Sequence, residues 1–311
     1  MTEPACPRVP VAMTPRQRAL ALASSLESIY RTYDRPAVID DPIECVRPYA
    51  DLRDREIAGF LAAGLAFGNV KAVMQSVRTA LAAMGPSPAE FVGNFSPSRD
   101  AHRVDYLVHR WTRGDDIVAL CVVLREILRT FGSIEGAVAH GMREASNDIG
   151  DGLDALGTWA AGLDVRDCYP RRTPRHGVMY FFPKPAAGSA CKRLNLYLRW
   201  MVRRDRIDPG GWTRIAARHL VVPLDVHIIR VGTCLGLTRR ASPGWAMARE
   251  ITDALRAVDP ADPVRFDFAL CHLGMQGLCG HGRPQGDADC PMRGVCRPRR
   301  TAGARRVARA R

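Results

Sequence analysis

Only three of the 45 Lys and Arg residues in this chain are lysines: Lys71, Lys184 and Lys192. A guanidinium serves phosphate contacts and ion pairs well, but it keeps its proton and cannot act as a nucleophile, whereas a lysine amine can. Lys192 stands in GSACKRLNLYLRWMV, where the loop PKPAAGSA leads into an apolar-periodic helix. That puts it in a first turn, at the positive end of a helix dipole, a setting that favours an uncharged amine. Thirty-three residues on, in VVPLDVHIIRVG, Asp225 opens a second such helix as its N-cap or first residue. A carboxylate there can orient an amine or steady a developing cation. Taken singly, Asp225 also reads as an ordinary N-cap and Lys192 as an ordinary solvated charge.

A second cluster lies near the C-terminus. Cys271, Cys279, Cys290 and Cys296 are separated by seven, ten and five residues, the last three in a Gly/Pro-rich stretch. Thiolates at that density suit an iron–sulfur or zinc site. Free thiols are the alternative, and Cys271 reads equally as helix core. Cys6, Cys45, Cys121, Cys168, Cys191 and Cys234 are scattered and read as reduced core or surface residues.

The elements that must position these groups are helices. Apolar residues recur at three- and four-residue intervals over 16–33, 54–85, 116–132 and 133–145, then over 191–204, 226–237, 242–258 and 262–278. Ser242–Pro243 and Asp262–Pro263 fit N-cap and first-turn positions. VMYFF, 178–182, is the one short β-like run, and there is no internal repeat. The expectation is an all-α fold.

The formal net charge is +13 and the isoelectric point about 9.7, which favours a polyanionic partner, nucleic acid before an anionic membrane. RPRRTAGARRVARAR, 297–311, carries seven of the arginines and reads as a disordered tail; without it the body keeps +6. No apolar run approaches the roughly 20 residues of a membrane span. The N-terminus lacks the order of a secretory signal, so the chain is expected in the cytoplasm, associated with the nucleoid.

PLDVHIIRV resembles the segment that opens the second catalytic helix of the helix-hairpin-helix DNA glycosylases, the superfamily of endonuclease III. Most members place the nucleophilic lysine in an LPGVG-type hairpin close before the aspartate, and this chain has none there. KRLN at 192–195 and its distance to Asp225 are instead similar to the archaeal 8-oxoguanine glycosylases, whose lysine also heads a K-x-L-N-type helix. The stretches DREIAGFLAAGLAFGNVKAV, HRWTRGDDIVAL, GSACKRLNLYLRWMV, PLDVH, LGLTRR and DPVRFDFALCHLG resemble a bacterial family of this length on the same fold.

The resemblance implies a two-lobed fold with a flexible N-terminus over 1–15 and a helical domain over 16–296. Within that domain it implies catalytic helices at 191–204 and 225–237 and a cysteine loop at 271–296. It implies a monomeric enzyme of base-excision repair, a DNA glycosylase with AP lyase activity on double-stranded DNA carrying an oxidised or otherwise damaged base. Lys192 would attack C1′ of an extruded nucleotide, and Asp225 would stabilise the cationic sugar. Asn69 and Lys71, in LAFGNVKAV, fall where related enzymes break between helices and insert a polar side chain beside the flipped base. Gly188, Ser189, Arg193, His227, Arg239 and Arg240 flank the two catalytic segments and would contact DNA. CPMRGVC matches the last gap of the endonuclease III [4Fe–4S] loop, with Cys271 or His281 completing the set and zinc as the alternative. HRWTRGDD, 109–116, could line the pocket mouth or cap a helix. Trp200 and Trp212 could stack on a base, with core the better reading of Trp200. Competing readings are a non-catalytic, structure-specific nucleic-acid-binding protein on the same fold, and an enzyme acting on RNA or a free nucleoside.

Overall fold

A computed structural model describes residues 13–35, 41–169, 177–278, 289–293 and 295–296. In chain order the helices are α1 Pro15–Ala21, α2 Ala23–Tyr33, α3 Leu52–Gly64, α4 Val70–Met84, α5 Pro88–Gly93, α6 Pro97–Asp100 and α7 Gly114–Phe131. They continue as α8 Ile134–Gly141, α9 Gly150–Ala161, α10 Lys192–Val202, α11 Val226–Leu235, α12 Trp245–Arg256 and α13 Asp267–Met275. Among the described residues there is no strand, only one isolated antiparallel bridge between His109 and Thr112, so the fold is all-α. No helix among them is long and apolar enough to cross a membrane.

The chain forms two compact units: a terminal unit of residues 1–35 and 221–311, and an inserted unit of residues 36–220. In the terminal unit α11 packs on α13, α1 on α12 and α2 on α13. The α11–α13 approach is close because Gly274 lacks a side chain; a Cβ there would lie 2.8 Å from Cβ of His227. The buried guanidinium of Arg18 donates from Nε to the Leu235 carbonyl at 2.8 Å, satisfying an end of α11. Gly236, at φ 74°, closes that helix with the Leu237 N–H donating back to Gly232 O at 2.8 Å.

The inserted unit is built on α3, which is buried without a break from Glu56 to Gly64. Its alanines and glycines let neighbours approach: a Cβ on Gly59 would meet Tyr197 of α10 at 3.2 Å, and one on Gly64 would meet the Phe181 ring at 2.6 Å. Around it Phe60 packs on Phe182 and Tyr197, and Tyr197 meets Trp212 edge-on. Glu56 receives the N–H groups of Ile134 and Glu135, at 3.3 and 3.0 Å, so a carboxyl of α3 caps α8. Glu135 in turn accepts from the N–H groups of Thr213 and Arg214.

Several expectations change. The periodic stretch 54–85 is two helices divided at Leu65–Asn69, the helix-connecting turn expected at LAFGNVKAV, where Gly68 takes φ 102° and Asn69 caps α4. VMYFF is not extended; Gly177–Phe181 is a 3-10 helix that drives Phe181 onto Gly64. Pro243 and Pro263 do not occupy first turns. α12 starts at Trp245 behind Gly244, and α13 at Asp267, because Asp259 Oδ1 ties the N–H groups of Ala261 and Asp262 into a turn first. Thr14 caps α1 through Gln17 and Pro15 is its first residue, so the end of the expected flexible 1–15 belongs to a capped helix. Residues 297–311, Cys279 and His281 lie outside the described residues.

Candidate functional site

Lys192 is the first residue of α10 and is half-buried. Its helix starts without a side-chain cap, on Cys191 at φ 48° and ψ 34°, a left-handed conformation uncommon outside glycine. The loop before it makes this possible. Gly188, at φ 80°, closes the Pro185–Ala187 turn, Ser189 Oγ accepts the Cys191 N–H at 3.2 Å, and the Asn195 amide donates to Ala190 O at 3.1 Å. The Cys191 thiol lies 3.4 Å from Pro183 O, and burial pushes it up to about 12, which makes it inert as a thiolate nucleophile. At the other end of α10, Arg199 and Arg203 converge on Asp208, which is fully buried, and Arg203 also meets Asp205 at 2.8 Å. Lys192 is thus presented by a helix anchored at its far end.

Arg193 turns inward. Its guanidinium donates to Gly64 O at 2.9 Å and to Tyr180 O, and lies 5.4 Å from the Phe67 ring centre. Burial lowers its affinity for a proton. The side chain expected on DNA therefore joins α3, α10 and the 177–181 turn. Asn69 Oδ1 accepts the N–H groups of Lys71 and Ala72, at 3.0 and 3.4 Å, while both Asn69 and Lys71 remain exposed.

Beside Phe67 lies a feature the sequence reading only touched. His109 and Thr112 pair in both directions at 3.0 Å, making a two-residue turn of Arg110 and Trp111. Arg110 sits at φ 56°, and its guanidinium fills the space a Cβ on Gly68 would need. Such a non-glycine residue costs about 1–2 kcal/mol. His109 fixes the turn: its Nε2 donates to Phe67 O at 3.0 Å, and Ser76 Oγ donates to its Nδ1 at 2.9 Å. Trp111, 50 % exposed, stacks on Phe67 at 4.3 Å and 15°. Trp212, by contrast, is buried against Tyr197 and offers no stacking surface; Trp200 is core.

In the terminal unit Asp225 is the N-cap of α11. Oδ1 accepts the Ile228 N–H at 2.8 Å, and the Cys271 thiol lies 3.3 Å from Oδ2 and donates to it. Both oxygens are thereby oriented. His227 presses its side chain against Gly274 of α13, so it serves the helix contact. The Arg239 N–H donates to Glu250 and its guanidinium to Met13 O at 2.7 Å, and the Arg240 guanidinium is 3.6 Å from Glu250. Arg240 also borders an open basin of about 790 Å³ with Arg16, Arg249, Arg256, Glu250 and Asp253, whose mixed signs do not make a phosphate cradle.

Of the four expected metal ligands, Cys271 faces Asp225, Cys290 is buried and Cys296 is half-exposed, while Cys279 lies outside the described residues. Among the described residues no group of three His, Cys, Asp or Glu converges as a metal site. The Cys271–Asp225 contact had no local signal, because the partners are 46 positions apart.

No curated protein and no solved structure matches the chain. A family model does, over residues 41–276, a span that takes in both the lysine helix and the aspartate helix. The chain belongs to the family described as "Protein of unknown function (DUF2400)".

Proposed function

We propose that this protein is a DNA glycosylase with AP lyase activity, on a helix-hairpin-helix glycosylase-like fold, acting as a monomer on damaged bases in double-stranded DNA of the nucleoid. The observation that carries the reading is Asp225: a helix-capping carboxylate with one oxygen on a backbone N–H and the other on a thiol, in the PLDVH segment that carries the resemblance. Lys192, first residue of α10 and one of only three lysines in an arginine-rich chain, supplies the amine.

In the mechanism, the Lys192 Nζ lone pair bonds to C1′ as the glycosidic C–N bond breaks, and its electrons leave with the base, which takes up a proton. Opening of the sugar ring gives a protonated imine. Loss of a C2′ proton then eliminates the 3′ phosphate. Asp225 stabilises the positive charge that builds on the sugar. A [4Fe–4S] cluster or zinc on Cys279, Cys290 and Cys296, with Cys271 or His281 as the fourth ligand, would be structural and no step runs through it; a ligating Cys271 would be a thiolate and would give up its donation to Asp225. Iron, sulfide and zinc analysis of anaerobically purified protein tests that part.

Borohydride trapping on an abasic duplex tests the chemistry. The covalent adduct is expected with the wild type, Lys71→Ala and Lys184→Ala, and lost in Lys192→Ala. No adduct on any abasic substrate would overturn the lyase reading. Affinity should fall with salt at about 0.9 per phosphate contact on a log–log plot. The second reading, nucleic-acid binding without chemistry, is favoured by the exposed Trp111 turn; salt-dependent binding with no adduct would select it.

A further inference from the structure

We infer that the Arg110–Trp111 turn is a stacking platform for an unpaired nucleobase. This deepens the nucleic-acid reading above, on which it rests, by naming a contact surface distinct from the lysine chemistry.

Three observations carry it. The first is exposure: Trp111 and Tyr180 are 50 and 59 % exposed, with ring centres 6.5 Å apart, and with Tyr106 they are the exposed large aromatics among the described residues. One side of the indole is covered by Phe67 while half of the side chain stays open to solvent, which leaves a π-surface on which a planar group can stack.

The second is rigidity. The turn is closed by two backbone hydrogen bonds, pinned by His109 to Phe67 O and Ser76, and backed by the parallel Phe67 ring. Arg110 holds a left-handed conformation at the first central position of the turn, where glycine is the default. Retained strain in an exposed turn marks a side chain needed for what it contacts.

The third is charge. A guanidinium accompanies the exposed ring, Arg110 at 5.1 Å from the Trp111 centre, whereas Arg193, 5.4 Å from Phe67, is held inward on Gly64 O and Tyr180 O. Arg113 is exposed three residues on from Arg110, with Asp105 and Asp115 as the acidic residues flanking the turn in sequence. An apolar peptide would use the rings and leave the cations idle. A nucleotide uses both, the base on the π-face and its phosphate on Arg110.

The test uses full-length protein and two probes: a labelled oligothymidine of about ten nucleotides, and a duplex with one unpaired 2-aminopurine. Trp111→Phe keeps a π-face, whereas Trp111→Leu keeps an apolar side chain over Phe67 and removes it. Arg110→Gly keeps the left-handed backbone and removes the cation. The expected result is that Trp111→Leu binds oligothymidine about 5- to 150-fold more weakly than the wild type and no longer quenches 2-aminopurine, while Trp111→Phe stays close to the wild type. Arg110→Gly should lower the salt slope by about one contact. Equal affinity and quenching in wild type and Trp111→Leu overturn the platform, as does a wild type that binds neither probe. Borohydride trapping on the same preparations separates the two ideas. Quenching through Trp111 with no Lys192 adduct sinks the lyase reading and keeps the platform; an adduct with quenching indifferent to Trp111 does the reverse.

Discussion

The two helix N-termini that carry the candidate residues solve one physical problem in opposite ways. α11 begins on Asp225, whose side chain caps the helix and is also the group expected to do chemistry. α10 begins with no side-chain cap, on the left-handed Cys191, and is secured by Arg199, Arg203 and Asp208 at its far end. A capping group cannot be changed without touching the helix it caps. A residue beside a start made by loop geometry can. The aspartate therefore couples stability to function, and the lysine is separated from it.

The largest effect should come from the anchor of α10. Asp208→Ala removes the buried carboxylate that Arg199 and Arg203 share, leaving Arg203 with Asp205, and should cost about 3–5 kcal/mol in urea unfolding. Lys192→Ala should cost under about 1 kcal/mol. Equal losses in the two variants would erase the contrast.

Next is a pH effect in the same unit. Burial lifts the Glu56 carboxyl to about 7 from 4.5, against the lowering pull of the Glu135 and Ile134 N–H groups. The folded chain keeps a proton that the unfolded chain loses, so stability falls as pH rises from 4.5 to about 7, and the loss is complete above that. Its size is of order 3 kcal/mol. Melting temperatures across that window should show the slope, and Glu56→Gln should flatten it while losing about 1 kcal/mol with one N–H acceptor. An unchanged slope in the variant would assign it to another group.

Gly64→Ala should follow, at about 1–3 kcal/mol, because its Cβ would lie 2.6 Å from Phe181. The smallest effect sharpens the comparison most. Asp225→Ala should lower stability by about 0.5–2 kcal/mol, while Asp225→Asn, which can still cap, should change it by a few tenths. If the proposed chemistry holds, both lose base release. Full activity in Asp225→Asn would remove the carboxylate from the mechanism.

The helical character of this chain, the place of Lys192 in a first turn and the capping role of Asp225 were all legible by themselves, because period, proline position and capping chemistry act within a few residues. Tertiary packing decided the rest. VMYFF became a 3-10 turn because Gly64 leaves room for Phe181, and Arg193 turned inward because the carbonyls of Gly64 and Tyr180 meet there. Trp212 went under Tyr197, and Cys271 came to Asp225 from 46 residues away. Trp111 was visible as a residue, but its stack on Phe67, and with it the exposed platform, depends on Gly68, Ser76 and His109 converging from separate segments. Contacts between distant segments leave no periodic trace in a chain, and only the folded backbone brings such partners into reach.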